Sequence, residues 1–595
     1  MSRSTPRLGA LPGVFLLAGA FLTGVLLFAH GGCQGAARAQ RPTQGPTADA
    51  GSETVSVQVL AFNDFHGQLE PPGGSNGQIQ TGVDADGGPV RVSAGGASYF
   101  AKHLADLRAT NPNTVVVAAG DLIGASPLLS GLFHDEPTIE AMNLIGLDLV
   151  AVGNHEFDEG STELLRMQAG GCHPQDGCQD GDAFGGARFK FLAANVATGA
   201  DRTLFPRYDV REFEGVKVAF IGMTLESTPQ IVTPTGVAGL AFQDEVETVN
   251  ALVPQLRQQG VEAIIVVVHE GGVPAPGSLI NECRGKGEGG GISGPIVAIA
   301  KGLDDAVDVI VTGHTHQAYN CVIDGKVVTS AASAGRLVTD IDLTLSKATG
   351  DVVEAKANNL IVTRDVKEDG PVKELVTRYQ QLATPLANRV IGWVAETLKT
   401  PFTQADPAGQ STLGFVIADS QLAATRAANL GGARVAFMNP GGVRADIAQG
   451  EVTFGEAFTT QPFGNSLVTL TLTGAQIEEL LERQWQQVGP NVVTRILHPS
   501  AGFTYAFSAS APIGGRIDPA SIRLDGEPLD AAATYRVTVN NFLAGGGDGF
   551  AVLTQGTNRL GGAIDSDALE AYLKAHSSQS SPLAAPALDR ITALP

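Results

Sequence analysis

A chain of 595 residues with 43% hydrophobic and 17% charged residues is long enough for two or three globular domains, and this composition excludes a disordered protein. The formal net charge of -22 argues against a nucleic-acid polymer as the general partner, since a polyanion binds to a basic surface. An enzyme that acts on small anions stays compatible with this charge, because it needs only a local cationic site.

The N-terminus carries the features of a signal peptide. Arg3 and Arg7 form a basic start, an apolar stretch extends from Leu11 to Ala29, and Ala37-Arg38-Ala39 provides an A-x-A cleavage site. We therefore predict export to the cell envelope, periplasm or medium, with no membrane span left after processing. Two alternatives stay open, namely a retained membrane anchor and a lipoprotein anchored through Cys33.

The chain divides into five predicted segments. Residues 1–39 form the signal peptide, and residues 40–53 form a flexible leader rich in Pro, Thr, Gly and Ala. Short β-rich runs alternate with helix-like segments over residues 54–365, which is the pattern of an α/β domain. Residues 366–399 combine helical spacing of apolar side chains with proline breaks and are predicted to be a helical linker. An α+β domain is expected over residues 400–590.

The four cysteines of the mature chain form an even set, as expected in an oxidising compartment. Cys172 and Cys178 lie in GCHPQDGC, a Gly/Pro/Asp loop that can close a short disulfide. Cys283 and Cys321 are then the second pair by elimination. The alternative is a zinc site formed by Cys172, His173 and Cys178, although its ligand spacing is loose.

Five apolar runs in the first 320 residues stop at Asp, Asn or His. Each run has the character of a buried strand, and the strands of an open α/β sheet end where side chains can converge. The runs are VSVQVLAFND with Asp64 and His66, TVVVAAGD with Asp121, LDLVAVGNH with Asn154 and His155, EAIIVVVHEGG with His269, and AVDVIVTGHTH with His314 and His316. Their carboxylate, amide and imidazole groups suit Zn, Mn or Fe-type divalent ions.

Taken singly, these residues have ordinary explanations. An Asp after a strand, such as Asp121, is more often a turn or helix-capping residue, and a lone His269 is more often a hydrogen-bonded core histidine. The ordered set D-x-H, GD, GNH, H and GHxH is far more specific. It resembles the signature of the calcineurin-like metallophosphoesterases, and the chain from about residue 55 to 580 resembles the bacterial and animal 5′-nucleotidase family, which includes the UDP-sugar hydrolases.

This resemblance implies an N-terminal four-layer α/β/β/α metallophosphoesterase domain and a C-terminal α+β 5′-nucleotidase substrate-recognition domain. It also implies two bound divalent metal ions, such as Zn²⁺ or Mn²⁺. The implied ligands are Asp64, His66 and His316 for the first ion, Asp121 as the bridge, and Asn154, His269 and His314 for the second ion. Some family members have Gln or Asn where this chain has His316.

Next to the ligand Asn154, the side chain of His155 is free to face the substrate. The resemblance implies that this imidazole stabilises or protonates the charge that develops on the phosphoryl group. Asp158, three residues on, would orient the imidazole and hold its charge. The alternative for Asp158 is an N-terminal cap of a helix that begins at Glu159.

Three Gly-rich segments of the C-terminal half, FMNPGGVR, TTQPFGNSL and NNFLAGGGDGF, contain candidate substrate-binding residues. The guanidinium of Arg444 suits a phosphate, because it donates two parallel hydrogen bonds. Phe463 and Phe542 lie on polar loops, where paired rings could sandwich a nucleobase, and local packing is the alternative. An acceptor such as Asp548 suits ribose hydroxyls. The resemblance implies the same roles for the set Asn439, Arg444, Phe463, Asn465, Phe542 and Asp548.

One departure from the family pattern concerns the phosphate site. Related enzymes carry further Arg residues around the helix that here begins with GQSTLGFVIADS, whereas this chain has no Arg from residue 390 to 425. The phosphate contacts are therefore expected to be fewer, which disfavours nucleoside diphosphates and UDP-sugars as substrates.

Together these features predict an exported, metal-dependent 5′-nucleotidase that hydrolyses nucleoside 5′-phosphates to nucleoside and phosphate in nucleotide catabolism. The alternatives are a UDP-sugar hydrolase, a 2′,3′-cyclic nucleotide phosphodiesterase, and a catalytically silent nucleotide-binding surface protein. The expected partner is a small nucleotide and not a nucleic-acid polymer, and the sequence indicates no oligomeric state.

Overall fold

The computed structural model describes residues 53–73, 77–84, 88–232, 236–275, 277–283, 291–488 and 491–594. The predicted signal peptide of residues 1–39, the alternative lipid-bearing Cys33 and the predicted leader up to residue 52 lie outside these ranges. None of the helices within these ranges is long and apolar enough to cross a membrane.

In the described residues, the N-terminal part is built on two six-stranded sheets. The first contains, in order across the sheet, Val352–Ile361, Leu337–Ser346, Thr54–Phe62, Thr114–Ala119, Leu149–Ala151 and Lys190–Leu192. The second contains Ala318–Ile323, Lys326–Ala331, Val307–Thr312, Ala263–His269, Val216–Thr224 and Tyr208–Phe213. Shorter strands form small sheets beside them: Gln78–Val83 with Pro89–Ser93, Val196–Gly199 with Arg202–Thr203 and Ala241–Phe242, and Val273–Pro274 with Ile292–Ser293.

The two large sheets pack face to face between two layers of helices. In strand Thr54–Phe62, Val57 and Val59 face a core shared with the second sheet, whereas Leu60 and Phe62 face helices. This arrangement confirms the expected four-layer α/β/β/α architecture. The covering helices are Ala97–Arg108, Leu128–Gly131, Glu136–Ile145, Ser161–Ala169 and Gly370–Ala387 on the first sheet, and Glu245–Gln258 and Pro295–Gly302 on the second.

Parallel pairing at the centre of each sheet brings strand ends together. In the first sheet Phe62 pairs with Ala118 and Ala119 with Ala151, so three strands end side by side. In the second sheet, strand Ala263–His269 runs parallel to the strand Val307–Thr312. The ends of the two sheets also meet, because Nδ1 of His269 lies 2.7 Å from the carbonyl oxygen of Ala119. The predicted ligand-bearing runs therefore end in one place.

The C-terminal part has a mixed α and β composition, as expected. In the described residues, a five-stranded sheet contains His498–Pro499, Val435–Met438, Thr534–Asn540, Ser466–Thr473 and Thr557–Ile564, and a four-stranded sheet contains Glu527–Pro528, Ile517–Leu524, Phe503–Ser508 and Ile591–Leu594. Two further pairs are Val390–Val394 with Gly450–Thr453 and Trp485–Val488 with Asn491–Thr494. The helices are Thr412–Thr425, Phe454–Thr460, Gly474–Glu482, Asn541–Ala544 and Asp565–His576.

One helix, Gly370–Ala387, lies within the predicted linker range of residues 366–399. The side chain of Asp369 caps it by accepting a hydrogen bond of 3.1 Å from the N–H of Val372. Tyr379 is fully buried in the core that covers the first sheet, with its ring 4.9 Å from that of Phe133. This helix is therefore packed onto the N-terminal part, and the segment boundaries themselves stay a prediction.

Both expected disulfides are present, Cys172–Cys178 and Cys283–Cys321. The first closes the short loop of GCHPQDGC, and the second joins a loop to the buried strand Ala318–Ile323. Because Cys172 and Cys178 are bonded to each other, they offer no thiolates for the alternative zinc site with His173.

Candidate metal centre and substrate cleft

Five of the predicted metal ligands adopt a left-handed backbone conformation. The angle φ is 49° at Asp64, 48° at His66, 48° at Asp121, 67° at His314 and 55° at His316. A non-glycine residue in this region costs about 1–3 kcal/mol, and such residues cluster at functional sites. The turn directly after each strand brings these side chains over the sheet edge.

Glycines next to the ligands permit the close approach of neighbouring loops. A Cβ on Gly120 would lie 2.5 Å from Nδ1 of His269, and a Cβ on Gly153 would lie 2.3 Å from Oδ1 of Asp121. Any larger residue at either position would displace a predicted ligand. The glycines of the GD and GNH motifs are therefore required by packing.

The first donor group consists of Asp64, His66 and His316, whose ligand atoms lie within 4.8 Å of one another. Nε2 of His316 is 3.2 Å from Oδ1 of Asp64 and 3.0 Å from Nε2 of His66. Burial lowers the pKa of His66 to about 3, although the Asp121 carboxylate opposes this shift. The His66 imidazole is therefore neutral and offers a lone pair.

The second donor group consists of Asp121, His269 and His314, again within 4.8 Å. Nε2 of His269 is 3.0 Å from Oδ2 of Asp121 and 3.1 Å from Oδ1 of Asn154. The same Oδ2 of Asp121 lies 3.7 Å from Nε2 of His66 in the first group. Asp121 thus lies between the two groups, where the sequence predicts a bridging carboxylate.

The donor chemistry of the two groups fits divalent cations. Both consist of imidazole nitrogens and carboxylate oxygens, which are ligands of Zn²⁺ and Mn²⁺. Nδ1 of His66 lies 2.9 Å from the carbonyl oxygen of Gly124, and Nδ1 of His269 contacts the Ala119 carbonyl, so each ring directs Nε2 at the other donors. The structure identifies two candidate metal-binding groups at the sheet edge.

The imidazole of His155 lies beside these groups. Its Nδ1 is 2.8 Å from Oδ2 of Asp158, and its ring centroid is 5.2 Å from that of His66. Burial alone would lower the pKa of His155, but the carboxylates of Asp158 and Asp121 outweigh it and raise this pKa to about 9. The arrangement holds the ring by Nδ1 and leaves Nε2 for a ligand.

The helix-capping alternative for Asp158 does not fit the geometry. The helix that follows begins at Ser161, has Gly160 as its N-cap and receives no side-chain capping bond. Oδ2 of Asp158 instead accepts hydrogen bonds from His155 and from the N–H of Ala125 at 3.1 Å.

Glu156 has a structural role, as its place in the GNHEFD segment suggests. Its buried carboxylate accepts hydrogen bonds from the backbone N–H groups of Asp121 at 3.0 Å, Leu122 at 2.7 Å and Gly153 at 2.5 Å. Glu156 therefore ties the loop that carries Asp121 to the loop that carries Asn154. The partners take part only through their backbone N–H groups, so no side-chain pattern in the partners reveals this contact.

A cavity of about 310 Å³ joins the metal-binding groups to the C-terminal part. Asn154, His155, Asp158 and His314 line it on one side. On the other side, it is lined by the six predicted substrate-binding residues, Asn439, Arg444, Phe463, Asn465, Phe542 and Asp548. The structure thus brings residues that lie far apart in the sequence into one cleft.

Contacts among the six residues hold them in place. Nδ2 of Asn439 donates to Oδ2 of Asp548 at 3.0 Å, and Oδ1 of Asn439 accepts from Asn540 at 3.0 Å. The guanidinium carbon of Arg444 lies 5.7 Å from the centroid of the Phe463 ring. The rings of Phe463 and His155 are nearly parallel at a centroid distance of 6.0 Å, so residues of the N-terminal and C-terminal parts meet there.

Three cleft residues lie outside the segments that carry the predicted site residues. Asn540 also lines the cleft and belongs to the segment NNFLAGGGDGF, but it is absent from the predicted set. Arg495 lines the cleft, and its Nε lies 3.3 Å from Oδ1 of Asp548. It adds a second cationic side chain to the lining, at a position unrelated to the Arg-poor helix. Ile231 and Val232 add apolar surface opposite the C-terminal residues. All three come from segments without a recognisable motif.

Two family models match the chain. One, described as "Calcineurin-like phosphoesterase", matches residues 57–318, and the other, described as "5′-nucleotidase, C-terminal domain", matches residues 390–555. The two matches cover the two parts of the structure that line the cleft.

The chain is similar to several known proteins. The cell wall protein Lmo0130 of Listeria monocytogenes serovar 1/2a is 33% identical over 556 residues, which cover 88% of this chain and 68% of that protein. Endonuclease YhcR of Bacillus subtilis is 33% identical over 499 residues, but this chain spans only 37% of its length. The crystal structure of a 5′-nucleotidase precursor from Thermus thermophilus matches with a TM-score of 0.66 and 29% identity over 91% of this chain and 99% of that one.

Proposed function

The chain belongs to the calcineurin-like phosphoesterases that carry a 5′-nucleotidase C-terminal domain, and on this basis we propose that it is an exported 5′-nucleotidase. The reaction is hydrolysis of a nucleoside 5′-phosphate to nucleoside and phosphate. The family consists of hydrolases of phosphoric esters, and the similar Thermus protein is named a 5′-nucleotidase precursor.

One observation carries the proposal. A single cleft of about 310 Å³ is lined both by residues of the metal-binding groups and by residues suited to a nucleotide. Arg444 suits a phosphate, Phe463 and Phe542 suit a base, and Asp548 suits ribose hydroxyls. A phosphatase that does not recognise a base would not need the residues suited to a base and to ribose hydroxyls.

We further propose that the two donor groups hold two divalent cations of the Zn²⁺ or Mn²⁺ type, with Asp121 shared between them. Asp64, His66 and His316 would hold one cation, and Asn154, His269 and His314 the other. Such a pair supplies Lewis acidity, which activates water and withdraws charge from phosphoryl oxygens.

The protein's own groups then act on the phosphoryl group. Asp158 fixes the tautomer and orientation of His155 through the 2.8 Å contact at Nδ1, so the other ring nitrogen can donate to a phosphoryl oxygen. Arg444 adds a fixed positive charge on the opposite side of the cleft. The side chain of His155 is half-buried and that of Arg444 is exposed, so their interaction with the phosphoryl charge strengthens when a bound nucleotide excludes water from the cleft.

The C-terminal residues position the nucleoside. The rings of Phe463 and Phe542 would hold the base between them, a contact worth about 1–3 kcal/mol per base. Asn439 would contact the base edge, and Asp548 would accept hydrogen bonds from the ribose. Asn465, which lines the same cleft, would complete the pocket beside Phe463.

Export and nucleotide salvage complete the proposal. The basic, apolar and A-x-A segments of residues 1–39 support secretion or an envelope location, with lipidation at Cys33 as the alternative. Two disulfides in the described residues are typical of an oxidising compartment.

A substrate panel tests the reaction class. We expect kcat/KM for AMP to exceed that for UDP-glucose, 2′,3′-cyclic AMP and a single-stranded DNA oligonucleotide by at least about tenfold, a difference of about 1.4 kcal/mol in transition-state binding. With the purified protein, hydrolysis of AMP is measured as released phosphate, and hydrolysis of the other three substrates is measured as their nucleotide products by chromatography. The His155→Asn variant reports contaminating phosphatase. A higher value for the sugar nucleotide, the cyclic diester or the oligonucleotide would replace the proposal by that activity. Tight AMP binding without turnover would indicate a silent binding protein.

A further inference from the structure

A third histidine–carboxylate cluster lies outside the two donor groups of the sheet edge. His134, Glu159, Glu163 and His173 each place one ligand atom within 4.8 Å of the others. The residues come from three separate segments: the loop before helix Glu136–Ile145, the start of helix Ser161–Ala169, and the loop closed by the disulfide Cys172–Cys178. None of the four belongs to the groups predicted to bind the catalytic cations.

Contacts around the two imidazoles are short. Nδ1 of His134 is 2.8 Å from Oε2 of Glu159, and its Nε2 is 2.8 Å from Oδ2 of Asp176. Nδ1 of His173 lies 3.3 Å from the same Asp176 oxygen. The rings of His134 and His173 stack at a centroid distance of 3.7 Å and an angle of 15°. Two imidazolium ions stacked at this distance repel each other, so both rings are not positively charged together. A cation held at the ring nitrogens would bind both rings in their neutral form.

The carboxylates are positioned before any cation binds. Glu163 accepts two hydrogen bonds from Nε of Arg166 at 2.9 and 3.0 Å, and Arg166 also donates to Glu136. Burial alone would lower the pKa of His134, but hydrogen bonds to Glu159 and Asp176 raise this pKa to about 9. The same carboxylates that hold a proton on His134 would attract a divalent cation, which competes with protons for imidazole ligands.

This cluster borders the substrate side of the molecule. His134, Glu159, Glu163 and Asp176 line a cavity of about 460 Å³ that His155, Asp158 and Phe463 also line. Glu159 directly follows Asp158, the residue that holds the His155 imidazole. A cation on Glu159 would therefore anchor the segment that orients His155, and would link it to the disulfide-closed loop.

We propose that His134, Glu159, Glu163 and His173 form a third divalent-cation site, separate from the phosphoesterase centre. The ligands are two imidazoles and two carboxylates, a set that suits Zn²⁺ better than Mg²⁺ or Ca²⁺. The site fixes the loop of residues 172–178 to the start of helix Ser161–Ala169. It does not depend on the 5′-nucleotidase activity proposed above.

Metal content of the full chain tests the site. The protein is treated with chelator, dialysed against Zn²⁺ and then against metal-free buffer, and its Zn²⁺ per chain is measured by mass spectrometry. We expect the double variant His134→Gln, His173→Gln to retain one equivalent fewer than the wild type. The matched control is His576→Gln, an exposed histidine on helix Asp565–His576, which should retain the wild-type amount. Equal Zn²⁺ in all three proteins would overturn the proposal.

A second measurement tests the site in the wild type, so that its result does not depend on the folding of the double variant. Hydrogen exchange of the wild type is followed with and without Zn²⁺, and the conservative Glu159→Gln variant is measured alongside. We expect Zn²⁺ to slow hydrogen exchange in residues 172–178 of the wild type. In the variant, the factor by which Zn²⁺ slows this exchange should be at least about tenfold smaller. If Zn²⁺ does not change the exchange of this loop in the wild type, the proposed cation site is contradicted. The cluster would then be a network of ion pairs between a protonated imidazole and carboxylates.

Discussion

Asp121→Asn is expected to lower kcat for AMP hydrolysis by about 10³-fold or more. The Asp121 carboxylate lies 3.0 Å from Nε2 of His269 and 3.7 Å from Nε2 of His66, so it is the side chain shared by both donor groups. The asparagine amide is neutral, so the variant lacks the negative charge that two cations would share. Cations held at such a site stabilise the transition state by several kcal/mol. Each 1.36 kcal/mol corresponds to about a factor of ten in rate.

Steady-state phosphate release and metal content are measured together for this variant. Asp106→Asn is the matched control, because Asp106 is exposed on helix Ala97–Arg108 and pairs only with Lys102 among the described ion pairs. We expect the control to keep wild-type kcat, and Asp121→Asn to lose bound cations as well as rate. A variant with wild-type kcat would remove Asp121 from the site.

His155→Asn is expected to lower kcat by about 10²–10⁴-fold, the range for a positioned acid or hydrogen-bond donor. Unlike Asp121→Asn, this variant should keep its bound cations, because His155 lies beside the donor groups and belongs to neither. Asp158→Asn should lose less activity, since the imidazole stays in place and only its tautomer and charge are no longer fixed.

The two variants are compared with His103→Asn, which removes a half-buried imidazole bonded to the Thr363 carbonyl beside the first sheet. KM for AMP is expected to change far less than kcat, because His155 acts on the charge that develops in the transition state. Loss of cations in His155→Asn, or a kcat equal to that of the control, would contradict the assigned role.

Much of the fold could be predicted from local patterns in the sequence. In VSVQVLAF, the period of two places Val57 and Val59 on one face of the strand and Leu60 and Phe62 on the other. In the structure, each face packs into a different hydrophobic core. The helix-like apolar spacing of QDEVETVNALVPQLRQQ corresponds to helix Glu245–Gln258. Such features depend on side-chain periodicity along one segment, which a single sequence contains in full.

The candidate site was predictable where its residues end strands. Parallel strands of one sheet must end together, and this rule brings Asp64, Asp121 and Asn154 close without further information. The meeting of the first and second sheets, and of both with Arg444, follows only from the family resemblance. Packing between the two sheets, and between them and the C-terminal part, produces no periodic pattern in the sequence.

Other contacts of the structure have no counterpart in a sequence motif. Glu156 binds backbone N–H groups, so its partners carry no side-chain signal. Arg495 reaches Asp548 from a distant part of the chain, and His134 meets His173 only because a disulfide loop folds over a helix start. These contacts depend on loop conformations that composition and spacing do not determine.

Metal depletion and restoration tests whether hydrolysis of AMP requires bound divalent cations. Purified protein is chelated, and phosphate release from AMP is measured before and after addition of Mn²⁺ or Zn²⁺, with Asn154→Ala in parallel. We expect chelation to abolish turnover and one of these cations to restore it in the wild type. The variant should stay at least about 10²-fold slower, because a predicted ligand is missing. Full turnover in the chelated protein, or none with either cation, would contradict a metal-dependent 5′-nucleotidase.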